Sequence, residues 1–173
     1  AKIDAQQFSG EAALNHALLT SIVKESIEEV GFDFSRIAFQ NDEGFHTIAD
    51  YLGRSTTIAS REDADAWLAR LEALPAYYEQ NVANLKRGIK THYTQPRIVV
   101  DRVLEVARKQ VEVKPEDNSM LLPFARMPVS IPVQVQAEYR AKALALVRDK
   151  VYPAQRAFAD FLAKEYVPAA RPK

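Results

Sequence analysis

The chain has 173 residues, which is long enough to bury a substantial core within one domain. Its composition of 47% hydrophobic and 27% charged residues argues against disorder, and its formal net charge of zero argues against bulk attraction to nucleic acid or an anionic membrane. It contains no cysteine, which excludes disulfides, thiolate metal sites and cysteine nucleophiles, and no apolar run approaches the roughly 20 residues of a membrane span.

Residues 4–30 form the first predicted helix, with Asp4 or Ser9 as its cap and Gly31 at its end. Two neighbouring rows of aliphatic residues share one broad face of this helix. The first row is Leu14, Leu18 and Ile22, and the second row is Leu19, Val23, Ile27 and Val30. A face of this width predicts that the helix is buried between other helices.

Residues 31–60 lose the helical period but are rich in aromatic residues, so they are predicted to be a packed irregular connection. Asn41, Asp42, Glu43 and Gly44 form a turn signal, and a single helical turn is predicted over residues 47–52, ending at Gly53.

Irregular segments inside compact domains often carry function, which makes Phe45, His46 and Thr47 the candidate cleft-lining residues. If the segment lines a cleft, His46 is expected on the surface. The alternative, given equal weight, is that Phe39 and Phe45 bury the segment and His46 caps a turn.

Residues 60–92 are the most regular stretch of the chain. Their apolar residues are spaced by three or four positions, which predicts one buried stripe along a helix: Trp67, Leu71, Leu74, Tyr78, Val82, Leu85 and Ile89. Ser60 and Asp63 predict a capping box, and Gly88 lies near the far end. Pro75 removes an amide donor, so a bend is expected there while the stripe keeps its phase.

Two further helices are predicted in the C-terminal half. Thr94 caps the first of them, and Ser130 caps the last, with Pro96 and Pro132 in their first turns. Residues 113–132 are a second irregular connection, rich in proline. The last helix carries a coiled-coil-like seam and is bent at Pro153 before it ends near Tyr166. The seam is formed by Ala137, Leu144, Val147, Val151, Ala154, Phe158 and Phe161.

The predicted fold class is therefore all-α: a single domain over residues 1–173, built as a bundle of four or five long helices. Two of these helices are bent at proline, and two irregular connections rich in proline and aromatic residues join the bundle.

Candidate chemistry is sparse. His16 is assigned a structural role and His92 a contact with a helix C-terminus. His46 and Asp50 are spaced by one helical turn and could supply two metal ligands, but no third ligand accompanies them. The sequence also lacks a His-Glu-x-x-His helix and a glycine-rich phosphate loop. We therefore predict no catalytic, cofactor-binding or metal-ligating residue in this chain.

Five blocks of sequence resemble, in order, the bacterial domain-of-unknown-function family number 885. They are Glu43-Gly-Phe-His-Thr47, the run Leu74-Pro-Ala-Tyr-Tyr-Glu-Gln-Asn-Val-Ala-Asn-Leu-Lys-Arg-Gly88 with Gln95-Pro-Arg-Ile-Val-Val100, the segment Leu122-Pro-Phe-Ala-Arg-Met-Pro128, Tyr152-Pro-Ala, and Glu165-Tyr-Val-Pro-Ala-Ala-Arg171. The resemblance covers residues 39–171.

The resemblance implies a part of a longer, mostly helical protein that is similar to zinc metallopeptidases and is often exported. The zinc motif of such proteins lies beyond the segment matched here, so zinc is expected only in a C-terminal portion. The chain would then be the N-terminal helical scaffold or cleft-covering part, inert alone, with that portion as its partner. The alternative is a stand-alone helical interaction module without catalytic activity.

The resemblance also implies an exposed junction at Lys173. Helix packing is expected to finish near Tyr166, followed by an extended tail that Pro168 and Pro172 bracket. Apolar surface left uncovered would favour self-association, and the seam of the last helix is the expected contributor if it is not used internally.

Overall fold

The computed structural model describes residues 7–41 and 43–172, so the expectations placed on Asp4, Asp42 and Lys173 lie outside the described residues. The chain divides into two compact units, Ala1–Phe34 and Ser35–Lys173. We describe each of them by itself.

The first unit contains helix α1, Gly10–Val30. Ser9 is the N-cap residue but makes no side-chain capping bond, and the Gly31 amide closes the far end on the carbonyls of Glu28 and Glu29. None of its residues is buried. The predicted burial of its two aliphatic rows is wrong, because these seven side chains are between 47% and 79% exposed.

The second unit contains the remaining helices. They are α2 (Phe45–Ser55), α3 (Arg61–Lys90), α4 (Arg97–Glu112), α5 (Leu122–Ala125), α6 (Val133–Leu146), α7 (Tyr152–Phe161) and α8 (Val167–Ala169). Within the described residues there is no strand, and two isolated bridges pair Phe39 with Gly44 and Pro96 with Arg171. The all-α prediction is confirmed.

Helix α3 begins with the predicted capping box. The Ser60 hydroxyl accepts from the Asp63 amide, and the Asp63 carboxylate accepts from the Ser60 amide. The helix runs through Pro75 as a single element. Gly88 is buried and lies near the end of the helix as predicted, two residues before Lys90. A Cβ there would lie 2.6 Å from the Arg36 carbonyl oxygen, so the close approach of a second backbone explains the glycine.

Helices α6, α7 and α8 follow one another without a loop, because five-residue π-helical segments join them at Val147–Val151 and Leu162–Tyr166. Each segment ends two residues before a proline, Pro153 or Pro168. Proline cannot donate to the carbonyl four residues back, and a wider turn accommodates the loss. The N-cap of α6 is Pro132, not Ser130 as predicted.

The C-terminal segment is fastened to the start of α4. The Thr94 hydroxyl donates to the Ala169 carbonyl instead of capping α4, whose N-cap residue is Pro96. The Arg97 amide donates to the Arg171 carbonyl at 2.9 Å. Helical backbone continues through Pro168 to Ala169, so the extended tail begins later than predicted, at Ala170.

Two clusters of buried side chains form the core of the second unit. One gathers around Trp67, Met120 and Tyr152, and the other around Phe45, Val103 and Phe158. The seam of the last helix is used in them, since Val147, Val151, Phe158 and Phe161 are all buried. The aliphatic surface that stays exposed is concentrated on α1 instead.

Candidate functional site

Helix α2 carries the predicted candidate residues and is flanked by grooves. It is eleven residues long, which is longer than the single turn predicted, and it continues through Gly53. A Cβ on Gly53 would lie 2.6 Å from the Ser119 carbonyl oxygen, so this glycine lets the 119–121 turn pack directly on the helix. Phe45, His46 and Ala49 are buried, and cavities border α2 on more than one side.

The first cavity is an apolar groove of about 290 Å³ between α2 and α3, which we call the apolar groove. Its walls are Ile48 and Leu52 from α2, and Trp67, Leu74 and Tyr77 from α3. The Trp67 indole donates to the Met120 carbonyl at 2.9 Å, which fixes the ring in the floor. A groove of this chemistry accepts an aliphatic or aromatic side chain.

A second cavity of about 510 Å³ adjoins the apolar groove, because both are lined by Ile48 and Tyr77. Phe45, Thr47 and Tyr51 complete its lining together with Glu43 and Gly44. Two of the three predicted cleft-lining residues, Phe45 and Thr47, therefore border an open cavity.

On its other side α2 borders a polar groove of about 540 Å³. The Asp50 carboxylate accepts from the Gln110 amide and from the Ser119 hydroxyl, both at 2.7 Å. Arg54 and Lys109 also line this groove. Thr47 and Tyr51 lie between the second cavity and the polar groove and line both of them.

His46 lies in the core with 1% of its surface exposed. Neither ring nitrogen has a hydrogen-bond partner, and its ring contacts those of Phe39, Phe45 and Phe158. Desolvation by burial lowers the pKa of His46 to about 4, so the imidazole is neutral at pH 7. The structure thus places His46 beneath the groove and not on its surface.

The backbone of His46 holds α2 in place. Its carbonyl oxygen accepts from the Tyr78 hydroxyl at 3.2 Å and from the Gln110 amide at 2.7 Å. Burial raises the pKa of the Tyr78 hydroxyl, which keeps it a neutral donor. α3 and α4 therefore both fix the first turn of α2 through neutral hydrogen bonds.

The His46–Asp50 pair does not assemble as a metal site. The His46 ring is enclosed by aromatic rings, whereas Asp50 accepts from Gln110 and Ser119 in the polar groove. Over residues 7–41 and 43–172, no group of three or more His, Asp or Glu side chains is placed to hold a metal ion.

The sequence interpretation missed three groove residues: Ile48, Tyr51 and Tyr77. Their exposed fractions are 42%, 68% and 45%. A signal existed, because Ile48 and Tyr51 are one turn apart and lie off the buried stripe of an amphipathic helix. The predicted single turn over residues 47–52 is too short to define such a face.

The fold and the grooves define the class of this molecule as an all-α protein with cavities along one short helix. The chain belongs to the family described as bacterial protein of unknown function (DUF885), whose model matches residues 1–173. No curated protein and no solved structure gave a significant match. Among the described helices, none is both long and apolar enough to cross a membrane.

Proposed function

We propose that this chain is the non-catalytic helical scaffold of a larger, zinc-peptidase-like protein, in which α2 forms a wall of the cleft that receives a polypeptide. The observation that supports the proposal is the convergence of three cavities on α2, two of which are bordered by Thr47 and Tyr51. The family match covers residues 1–173 and carries no activity with it. The zinc-peptidase-like context is part of the proposal and rests on the resemblance given in the sequence analysis.

The chemistry of the grooves suits a polypeptide. The apolar groove is almost wholly hydrocarbon, so burying one aliphatic side chain there is worth about 1.5–3 kcal/mol. Tyr77 lines both the apolar groove and the adjoining cavity, and Tyr51 lines the adjoining cavity. Tyrosine is a residue type enriched where proteins bind one another.

The polar groove supplies the polar half of the recognition. Asp50 and Arg54 are one helical turn apart, a spacing at which a carboxylate and a guanidinium ordinarily pair. Here the Asp50 carboxylate accepts from Gln110 and Ser119 instead, and no ion pair forms between Asp50 and Arg54. The Arg54 guanidinium is thus left as a donor for a main-chain carbonyl or a carboxylate of the bound segment.

Trp67 provides a direct test, because it is the only tryptophan in the chain and lies in the floor of the apolar groove. We expect a tryptophan-free peptide with leucine at every second position and serine between to shift Trp67 emission saturably. Ile48→Lys should weaken the binding at least about tenfold by placing a charge in the groove.

The matched control is Ile98→Lys, because Ile98 is 70% exposed on α4 and lines none of the three cavities. It should leave the titration unchanged. An unchanged Trp67 spectrum at saturating peptide, or equal weakening by both variants, would contradict a polypeptide site at α2.

The enzymatic context has its own test in the gene. A reading frame that continues past Lys173 into a His-Glu-x-x-Gly-His-like zinc motif would support the scaffold role. A stop codon directly after Lys173 would refute it and favour the second candidate.

The second candidate function is a stand-alone helical interaction module without catalytic activity. The observation that favours it is α1, whose aliphatic rows are exposed throughout their length. Contiguous apolar surface of this extent is uncommon on stable monomers and ordinarily marks an interaction surface. Zinc analysis and a peptidase assay on the complete gene product separate the two candidates. Only the scaffold role predicts bound zinc and peptidase activity in that protein.

A further inference from the structure

We propose that α1 binds α1 of a second copy of this chain, in antiparallel orientation, through one uncharged face. The inference goes beyond the cleft proposed for α2 because it depends on α1 alone. Its starting point is the exposure of all seven large aliphatic residues of a helix that has no buried residue.

The two aliphatic rows of α1 differ in their surroundings. Glu11 lies three residues before Leu14, and Glu25 lies three residues after Ile22, so carboxylates flank the first row at one-turn spacing. The Ser21 hydroxyl donates to the Glu25 carboxylate at 3.2 Å on this side. Burying this row against another α1 would bring like charges together, which disfavours it as the pairing face.

The second row lies on a face without charge. Residues at alternating steps of four and three form this face, which we call the uncharged seam: Ala12, His16, Leu19, Val23, Ser26 and Val30. Such spacing averages 3.5 residues and is the pattern of a helix that packs along its whole length against another helix. Ile27 lies at the edge of the seam and is 67% exposed.

The order of residues in the uncharged seam selects the antiparallel orientation. With α1 reversed about its centre, Leu19 faces Val23, His16 faces Ser26, and Ala12 faces Val30. Each pair then joins aliphatic with aliphatic, polar with polar, or small with medium-sized. A parallel pair would stack His16 on His16, and the two helix dipoles would repel one another instead of attracting.

The size of the seam sets the expected affinity. A helix of 21 residues is about 31 Å long, and pairing two such faces buries on the order of 1,000 Å² in total. This is the low end for a specific interface, so the dimer should dissociate in the micromolar range.

Sedimentation of the whole chain from about 1 to 300 µM tests the pairing. We expect a monomer at the lowest concentration and a dimer at the highest. Val23→Lys should raise the Kd at least about tenfold, because it places a charge in the seam. Leu18→Lys is the matched control on the other row and should leave the Kd unchanged. Because Leu18 and Val23 are both exposed, neither change should alter the melting of the second unit.

The absence of cysteine allows the orientation to be tested by cross-linking. A mixture of Leu19→Cys and Val23→Cys chains should oxidise to the mixed dimer in preference to either like pair. The pairing would be overturned if the chain stays a monomer at the highest concentration, or if Val23→Lys and Leu18→Lys have equal effects. The antiparallel register would be overturned if two Leu19→Cys chains cross-link with each other in preference to the mixed dimer. None of these failures would change the response of Trp67 to peptide, so the two proposals fail separately.

Discussion

Helices α1 and α3 carry similar aliphatic patterns, but the pattern is buried in α3 and exposed in α1. The stripe of α3 is buried, with Leu71 and Leu85 at 1% and 0% exposure, whereas Ile27 and Val30 of α1 are 67% and 79% exposed. An apolar period thus identifies a helix face that can be covered, but it does not determine whether that face is covered.

The ends of the two helices differ in the same sense. At the start of α3, Ser60 and Asp63 form reciprocal capping hydrogen bonds. Hydrogen bonds to the Asp63 carboxylate, first from the Ala59 backbone amide and second from Ser60, hold the pKa of this carboxyl below its ordinary value. Ser9 at the start of α1 makes no side-chain bond. α1 therefore lacks the stabilisation that a side-chain cap gives the first turn of a helix.

The largest expected contrast comes from shortening one side chain in each unit. Phe158→Ala should lower the free energy of unfolding by about 3–5 kcal/mol, because the ring packs against Phe45, His46 and Tyr78. Leu18→Ala on α1 should change it by less than about 0.5 kcal/mol, as for an exposed position. Urea unfolding measures the free energy for both variants. A large loss of stability in Leu18→Ala would contradict the expected difference between the two units.

Acid should destabilise the second unit through His46. The folded pKa of about 4 lies below the unfolded value of 6.5, so the unfolded chain binds the proton more tightly. The contribution of neutral His46 to the free energy of unfolding is fully present above pH 6.5. It falls by roughly 3 kcal/mol as the pH drops from 6.5 to about 4.

His46→Leu should remove this part of the pH dependence without loss of stability at pH 7, because the ring nitrogens that it deletes have no partners. His92→Asn is the control at an exposed histidine with φ of 55°, a conformation that asparagine tolerates. Unfolding curves at several pH values provide the readout, and an unaltered acid slope in His46→Leu would show that other groups cause it.

The smallest expected contrast concerns the caps. Ser60→Ala should cost about 1 kcal/mol, because it leaves the Asp63 amide without its acceptor. Ser9→Ala should be nearly neutral, since no capping bond is lost. Melting temperatures of the two variants test this, and equal losses would mean that Ser9 caps α1 in solution.

Features encoded locally were predictable from the sequence. The capping box and the stripe of α3 follow from residues within one or two helical turns of one another, and both were predicted. The length of α2 was not, because a glycine suggests a helix end, whereas Gly53 lies inside α2 and is contacted there by the backbone of Ser119, distant in the chain. The π-helical segments before Pro153 and Pro168 leave no signal in the apolar period.

The candidate site was only partly predictable for the same reason. Aromatic content around Phe45 indicated a packed segment, but the enclosure of His46 depends on Phe158, more than a hundred residues further along. The burial of α1 was predicted from its pattern alone, and that inference failed because a pattern does not specify a partner.

The central claim is that exposed apolar surface is concentrated on α1, and hydrogen exchange of the whole chain tests it most directly. At low micromolar concentration, we expect α1 amides to exchange at least about a hundredfold faster than those in the centre of α3, because no residue of α1 is buried. Raising the concentration should slow exchange in α1 alone. Equal protection of α1 and α3 at the lowest concentration would contradict the account, since it would mean that the α1 rows are already covered within one chain.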